Sequence, residues 1–297
     1  MDRIRSHVRR ASVELVNLVF NHRPVFRVLG ALNRPLGLIE SVFLVYPATQ
    51  DYGLSYAYPH RLRANKWIPW PTGVLRQDGR WILMVAISAT DADFLDPAER
   101  RNLVTLERRV DALRALIGAR QKTFAGILPG VMARSGVLVD PPERELTARV
   151  VSEAVRDIQG AEHAPVVVLG GNGFIGRRLV EILEGDFETF SIDVGDSWPR
   201  HLEGRPAVVV NVANRDALEV HEEQLWPGVV VLNEVYPEPR GPLLERLIGR
   251  GIAVHHVVGV RAQALPRFPA GYAGAIPCCA AWPAETATVV TKELGVK

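Results

Sequence analysis

The chain has 297 residues, 47% of them hydrophobic and 23% charged, close to the average for globular proteins. Whole-chain disorder, a collagen-like fibre and a disulfide scaffold are excluded, and the length allows one large domain or two ordinary ones. Thirty-five basic against 33 acidic residues leave a net charge of +2, too balanced for a dedicated nucleic-acid binder.

Ile4, Val8, Ala11, Leu15 and Leu18 are spaced 4, 3, 4, 3, which marks one face of an amphipathic helix. Arg3, Arg5, Arg9 and Arg10 lie on its other face, and Arg23, Arg27 and Arg34 follow. This basic stretch reads either as a solvated helix face or as a docking surface for an acidic partner or an anionic membrane surface. Glu14 and Asn17 interrupt the N-terminal apolar stretch, and no run approaches the ~18 apolar residues of a membrane span. A cytoplasmic protein with no transmembrane segment is expected.

Gly37–Tyr46 is apolar and β-branched and predicts a buried strand. The stretch from Tyr46 to Pro71, rich in Tyr, Trp and Pro, reads as a long irregular segment of the kind that often forms lids. Trp81–Ser88 predicts a second strand, with Gln77-Asp78-Gly79 as its turn. Asp96-Pro97 opens a helix that buries Leu103, Leu106, Val110, Leu113 and Ile117 and ends at Gly118. Gly126–Gly130 reads as a loop, and Pro141-Pro142 marks a boundary.

A helix is predicted over 143–158, burying Leu146, Val150, Val151, Ala154 and Val155. After Pro165 the texture changes. Short apolar strands are predicted at 166–169, 187–193, 207–212, 229–232 and 252–258, with helices or turns between them. That alternation argues for a parallel sheet. The expected class is α/β: an N-terminal α/β substrate domain over 1–142, and a Rossmann-type doubly wound sheet over 143–297.

Gly171, Gly173 and Gly176 form G-x-G-x-x-G directly after the strand Val166–Leu169 and before a helical Arg177–Leu183. In such a turn the first glycine permits the tight bend and the second lets backbone approach a pyrophosphate. The third lets helix pack on strand, and the helix start offers free N–H groups to phosphate. The motif and its context predict that Gly170, Gly171, Asn172, Gly173, Phe174, Ile175 and Gly176 bind a dinucleotide; a glycine-rich turn that binds nothing is the plainer alternative. Asp193, 20 residues after Gly173, is placed to hydrogen-bond the adenosine ribose and repel a 2′-phosphate, favouring NAD over NADP. Asp196 competes for that role.

The two cysteines, Cys278 and Cys279, are adjacent. They cannot staple a fold, and a reducing interior is the default. No Cys/His spacing suggests a metal site. Ahead of a helix expected to begin near Pro283, a cysteine thiolate could serve as a nucleophile, Cys279 lying nearer than Cys278. Two small buried hydrophobes are the alternative. Lys122 reads either as a base or carbonyl-polarising group, or as a surface lysine. His255 and His256 receive no role.

The order of these pieces resembles the long-chain acyl-(acyl-carrier-protein) reductases, which form fatty aldehydes. The resemblance rests on Leu38–Tyr46, the helix around Leu103–Ile117, the loop Gly126–Met132, Leu146-Thr147-Ala148, the glycine loop, Val208–Asn214, Val230–Pro237, Ile252–Val260, and a cysteine region followed by Ala284-Glu285. It implies that Val212, Ala213 and Asn214 approach the nicotinamide, and that a cysteine takes the acyl group as a thioester before hydride transfer releases an aldehyde. An acyl-thioester substrate and an acidic carrier protein would follow. In that family the cysteine stands three residues before the Ala-Glu pair, whereas Trp282 occupies that place here and Cys279 lies farther upstream. The family also leads one to expect NADP. Two other readings stand beside it: a two-domain dehydrogenase of the amino-acid or shikimate type, acting without a covalent intermediate, and a cofactor-binding protein without catalysis. A homo-oligomer is among the expected partners under any of them.

Overall fold

The computed structural model describes residues 2–47, 53–54, 56–160, 162–214, 216–268, 274–282 and 287–295. The chain divides into two compact α/β units, each with its own sheet.

The first unit comprises Met1–Glu143 together with Ala262–Ala270 and Gly274–Trp282. Helices α1 (Asp2–Phe20) and α2 (Arg23–Leu36) lead into β1 (Ile39–Val45). After α3 (Pro59–Ala64), β2 (Trp70–Gln77) and β3 (Arg80–Ala86) form an antiparallel hairpin. Its turn is Asp78-Gly79, both with positive φ (47° and 80°), the conformation that matches the twist of paired strands and that Asp-Gly adopts readily. Then come α4 (Asp91–Leu95), α5 (Arg100–Ile117), β4 (Gln121–Phe124) and α6 (Leu128–Arg134). Asp96 caps the short 3-10 turn ahead of α5, its carboxylate accepting from the Ala98 N–H at 2.9 Å.

Strand β1 is flanked by β3 and β4, both parallel to it. Their carboxyl ends, at Val45, Ala86 and Phe124, therefore lie at one edge of the sheet. The core beneath joins Val42, Leu44, Val85 and Phe124 to Leu103, Leu106, Val110 and Ile117 of α5, the residues whose spacing predicted that helix.

Several elements differ from expectation. The segment before Pro71 contains α3 and the start of β2, and its residues 48–52 and 55 lie outside the described residues. The expected loop at Gly126–Gly130 runs into α6, whose first turn accepts Pro129 without losing a hydrogen bond. β4, the polar Gln-Lys-Thr-Phe, carries too little apolar pattern to read as a strand.

The second unit comprises Arg144–Arg261, Gly271–Ala273 and Pro283–Lys297. Helix α7 (Glu143–Gln159) precedes β5 (Val166–Leu169), α8 (Gly176–Leu183), β6 (Thr189–Ile192), β7 (Ala207–Asn211), α9 (Ala217–Val220), β8 (Val229–Asn233), α10 (Pro242–Gly249) and β9 (Ala253–Arg261). The five strands are parallel and ordered β6-β5-β7-β8-β9. The chain winds one way to β6 and the other way through β7, β8 and β9. Right-handed crossovers then place the connecting segments on both faces, the doubly wound arrangement. Alternate residues Val167, Leu169, Val209, Val229 and Val231 pack with Leu218, Trp226 and Leu247 on one face. Val166, Val168 and Val210, fully buried, point to the other.

After β9 the chain forms β10 (Gln263–Leu265), paired antiparallel to β2, then β11 (Ala275–Ile276) and a 3-10 turn at Cys278–Ala280. Both cysteines thus belong to the first unit, although they follow the second in sequence. Pro283, Ala284 and Glu285, where a helix was expected, lie outside the described residues. From Val289 to Glu293 the chain is strand β12, antiparallel to β9. The alternation Val289, Thr291, Glu293 suits a strand added to a sheet edge.

Candidate functional site

In a sheet ordered in this way, the loops after the first and third strands diverge and leave a crevice between them. Here those loops are Gly170–Ile175 and Val212–Asn214. They touch: Gly170 has φ +85°, and a β-carbon on it would lie 2.6 Å from the Ala213 α-carbon. Val212 N–H donates to the Leu169 carbonyl at 3.1 Å, which anchors the second loop to β5.

The glycines are needed for contact with neighbouring atoms. A β-carbon on Gly171 would strike Ser191 Oγ at 2.1 Å, and one on Gly176 would lie 2.0 Å from the Gly170 carbonyl oxygen. Gly173 is less crowded: its β-carbon would meet only the Gly170 carbonyl, its oxygen at 2.9 Å and its carbon at 3.9 Å. The N–H groups of Phe174, Ile175 and Gly176 have no acceptor among the described residues, as the start of a helix requires. With the helix dipole behind them, they form a positive cradle.

Asp193 follows β6. Its Oδ2 accepts from the Asn172 N–H at 2.7 Å, fixing the carboxylate against the glycine loop. Asp196 is turned to a different task, its own Oδ2 accepting from the Asp193 N–H at 2.9 Å. Arg177 donates from Nε to the Asn172 carbonyl.

A buried polar ladder crosses from the carboxyl ends of β7 and β8 to the middle of β9. Asn211, Asn233 and His256 are in-register partners on adjacent strands. Asn211 Nδ2 donates to Asn233 Oδ1 at 2.9 Å and to the Asn214 carbonyl at 3.1 Å, while its Oδ1 accepts from Ala213 N–H. Asn233 Nδ2 lies 3.1 Å from His256 Nδ1. Burial pushes the His256 imidazole below its usual range. The ladder therefore fixes the Val212–Asn214 loop through a neutral network. Sequence reading quoted Asn211 and Asn233 only within strands and left His256 without a role. Asn211 and Asn233, each closing a strand that contains consecutive valines, were the available signal; His256, inside β9, carried none. Beside them, burial pushes the half-buried Glu234 carboxyl up to about 7.

The first unit holds a second polar cluster at the carboxyl ends of β1, β3 and β4. Tyr46 Oη accepts from the Ile127 N–H at 2.9 Å, and the phenol O–H donates to Asp91. The Tyr46 ring meets Phe94 edge-on, with centroids 4.6 Å apart. Gly126 leaves room for the hydroxyl, since a β-carbon there would lie 2.3 Å from it. Burial pushes the Tyr46 phenol well up, and Asp91 and Cys279 both act in the same direction. Burial also raises the Asp91 carboxyl. The turn carrying Cys278 and Cys279 packs on β4. Cys278 is buried and Cys279 half-buried; neither is in a disulfide. Tyr46 and Asp91 escaped the sequence reading because 45 residues separate them.

Lys122 lies apart from this chemistry. On β4 it pairs with Glu107 and with Asp111 at 2.8 Å. The ammonium is engaged by both carboxylates in these ion pairs. Beyond β4, Glu143 is buried and accepts from the Phe124 N–H at 2.6 Å. Burial pushes its carboxyl up to about 7. Among the described residues no cluster of His, Cys, Asp and Glu could hold a metal ion, and no helix is long and apolar enough to cross a membrane.

No family model matches the chain, and no curated protein matches it. Among solved structures it is similar to a bifunctional 5,10-methylenetetrahydrofolate dehydrogenase/cyclohydrolase from Thermoplasma acidophilum. The two are 16% identical, the match covers 72% of this chain and 79% of that one, and the TM-score is 0.36.

Proposed function

We propose that the protein is an oxidoreductase using a nicotinamide dinucleotide held by its second unit. The observation that carries this reading is the glycine loop at the crevice between β5 and β7, with three unanswered N–H groups at the start of α8. Phe174, Ile175 and Gly176 would hold the pyrophosphate, and Gly173 would let it approach the backbone. Asp193, oriented by Asn172, would accept from the adenosine ribose hydroxyls and disfavour a 2′-phosphate, so NAD is the expected cofactor. Val212, Ala213 and Asn214, fixed by the Asn211–Asn233–His256 ladder, would border the nicotinamide. When bound, the cofactor supplies or accepts a hydride. Calorimetric titration of the purified chain with NADH and NADPH tests this; binding of neither overturns it.

A second, finer reading is favoured by the half-buried Cys279, whose turn packs on β4 and whose charge bears on the Tyr46 phenol. Cys279 would attack an acyl thioester as thiolate. The bond from Sγ to the acyl carbon forms, the bond to the departing thiol breaks, and that thiol takes a proton. Cys278, buried, is the poorer candidate. A covalent acyl group on Cys279 distinguishes this reading from direct hydride transfer, and cofactor binding without turnover would mark a non-catalytic protein.

A further inference from the structure

Helix α1 turns its apolar stripe outward. Val13 and Asn17 are the buried positions, Asn17 Nδ2 donating to the Pro71 carbonyl at 2.8 Å. Two of the arginines assigned to its polar face lie half-buried over aromatic rings, Arg9 on Tyr56 and Arg10 on Tyr58. Leu15 and Leu18 are 61% and 73% exposed. Helix α2 repeats the pattern. It buries Phe26, Gly30 and Asn33 and exposes Val28, Leu32 and Leu36, at 60%, 57% and 61%.

Between Leu15 and Ile39 the chain exposes eight large hydrophobic residues, of the 17 so exposed among the described residues. A globular surface rarely concentrates them in this way without a partner. The same 25 residues contain Arg23, Arg27 and Arg34 and no Asp or Glu, in a chain whose total charge is only +2. On the helix Arg23, Arg27 and Arg34 fall in one row bordering the exposed stripe, at i, i+4 and i+11. Arg34 reaches toward the carbonyls of Ala115 and Leu116, and Arg23 and Arg27 are exposed.

We infer that α1 and α2 form a docking surface for an anionic lipid bilayer, lying on the membrane without crossing it. Apolar side chains entering the interface and arginines meeting lipid phosphates are the two signals that together give stable peripheral binding. The charge decides against a second copy of the chain. Two such surfaces face to face would bring together Arg23 and Arg27 of both, with no acidic residue in the segment to answer them.

The test is co-sedimentation of the full chain with phosphatidylcholine vesicles and with vesicles containing about one-third phosphatidylglycerol. Binding to the anionic vesicles, weakened by salt, is expected. Arg23→Gln/Arg27→Gln should lower partitioning roughly 30-fold. Leu18→Ser/Leu32→Ser, at exposed positions that leave the fold intact by circular dichroism, should lower it at least tenfold. Equal binding of the leucine variant overturns the proposal, as does absence of the wild type from both vesicles. Light scattering that shows a dimer dissolved by the leucine substitutions overturns it in favour of self-association. Retention on a polyglutamate resin without vesicle binding overturns it in favour of an acidic polypeptide.

Discussion

Gly176 and Gly170 approach so closely that a β-carbon on Gly176 would lie 2.0 Å from the Gly170 carbonyl oxygen. The start of α8 is thereby pressed onto the loop that follows β5, and the donors at the head of the helix point past it. At Gly173 a β-carbon would meet only the Gly170 carbonyl, its oxygen at 2.9 Å and its carbon at 3.9 Å. The clash at Gly173 is therefore the milder of the two. Gly176→Ala should destabilise by about 2–3 kcal/mol, because backbone must move. Gly173→Ala should cost less, about 1–2 kcal/mol, and lower dinucleotide affinity. Urea unfolding and calorimetry on both variants check the pair.

Asp193→Ser removes the carboxylate that Asn172 orients. The preference for NAD over NADP should narrow by about tenfold or more as the repulsion of the 2′-phosphate is lost. Equal affinity of the wild type for the two cofactors would count against Asp193 as the ribose ligand.

Cys279→Ala should abolish acylation by an acyl thioester offered without cofactor, while Cys278→Ala retains it. Tyr46→Phe keeps the ring against Phe94 but removes the hydroxyl between Ile127 and Asp91, and it should slow acylation by about tenfold or more. Mass spectrometry of the intact chain reads each result. Full turnover by the double cysteine variant removes the covalent reading.

Glu143 gives a pH signature. Burial raises its carboxyl from the ordinary 4.5 to about 7, so the folded state binds the proton more tightly than the unfolded state. The wild type is unaffected below about pH 4.5, loses stability as the pH rises to about 7, and carries a constant penalty above that, at most about 3 kcal/mol. Glu143→Gln should remove this slope. The difference in unfolding free energy between wild type and variant, measured at pH 5 and pH 8, isolates it.

Asn233→Ala removes the acceptor of one Asn211 amide N–H and the donor to the Val235 carbonyl, while His256 Nδ1 keeps the Asn233 backbone carbonyl at 2.9 Å. Leaving the buried Asn211 N–H unanswered should cost about 1–3 kcal/mol. It should also weaken cofactor binding through the loosened Val212–Asn214 loop, as denaturation and calorimetry together would show.

The sequence by itself determined the features whose cause is local. A valine run, three glycines at fixed spacing and a following helix specify the β5–α8 turn, because each residue acts on its immediate neighbours. The Asp78-Gly79 turn and the face of α5 that carries Leu106 and Val110 were legible for the same reason.

Tertiary structure alone decided the rest. β4 is a strand because β1 supplies its hydrogen-bond partners, which four polar-leaning residues cannot announce. The stripe Val8, Leu15, Leu18 looked like a core face, yet α1 packs through Val13 and Asn17. The 4-3 spacing defines a face but not the direction it turns, and the site on β2 offered the Pro71 carbonyl to an asparagine. Cys279 comes to act on Tyr46 only because the chain returns to the first unit after β9. Side chains more than 40 residues apart share chemistry through packing, and that information resides in no local window of the sequence.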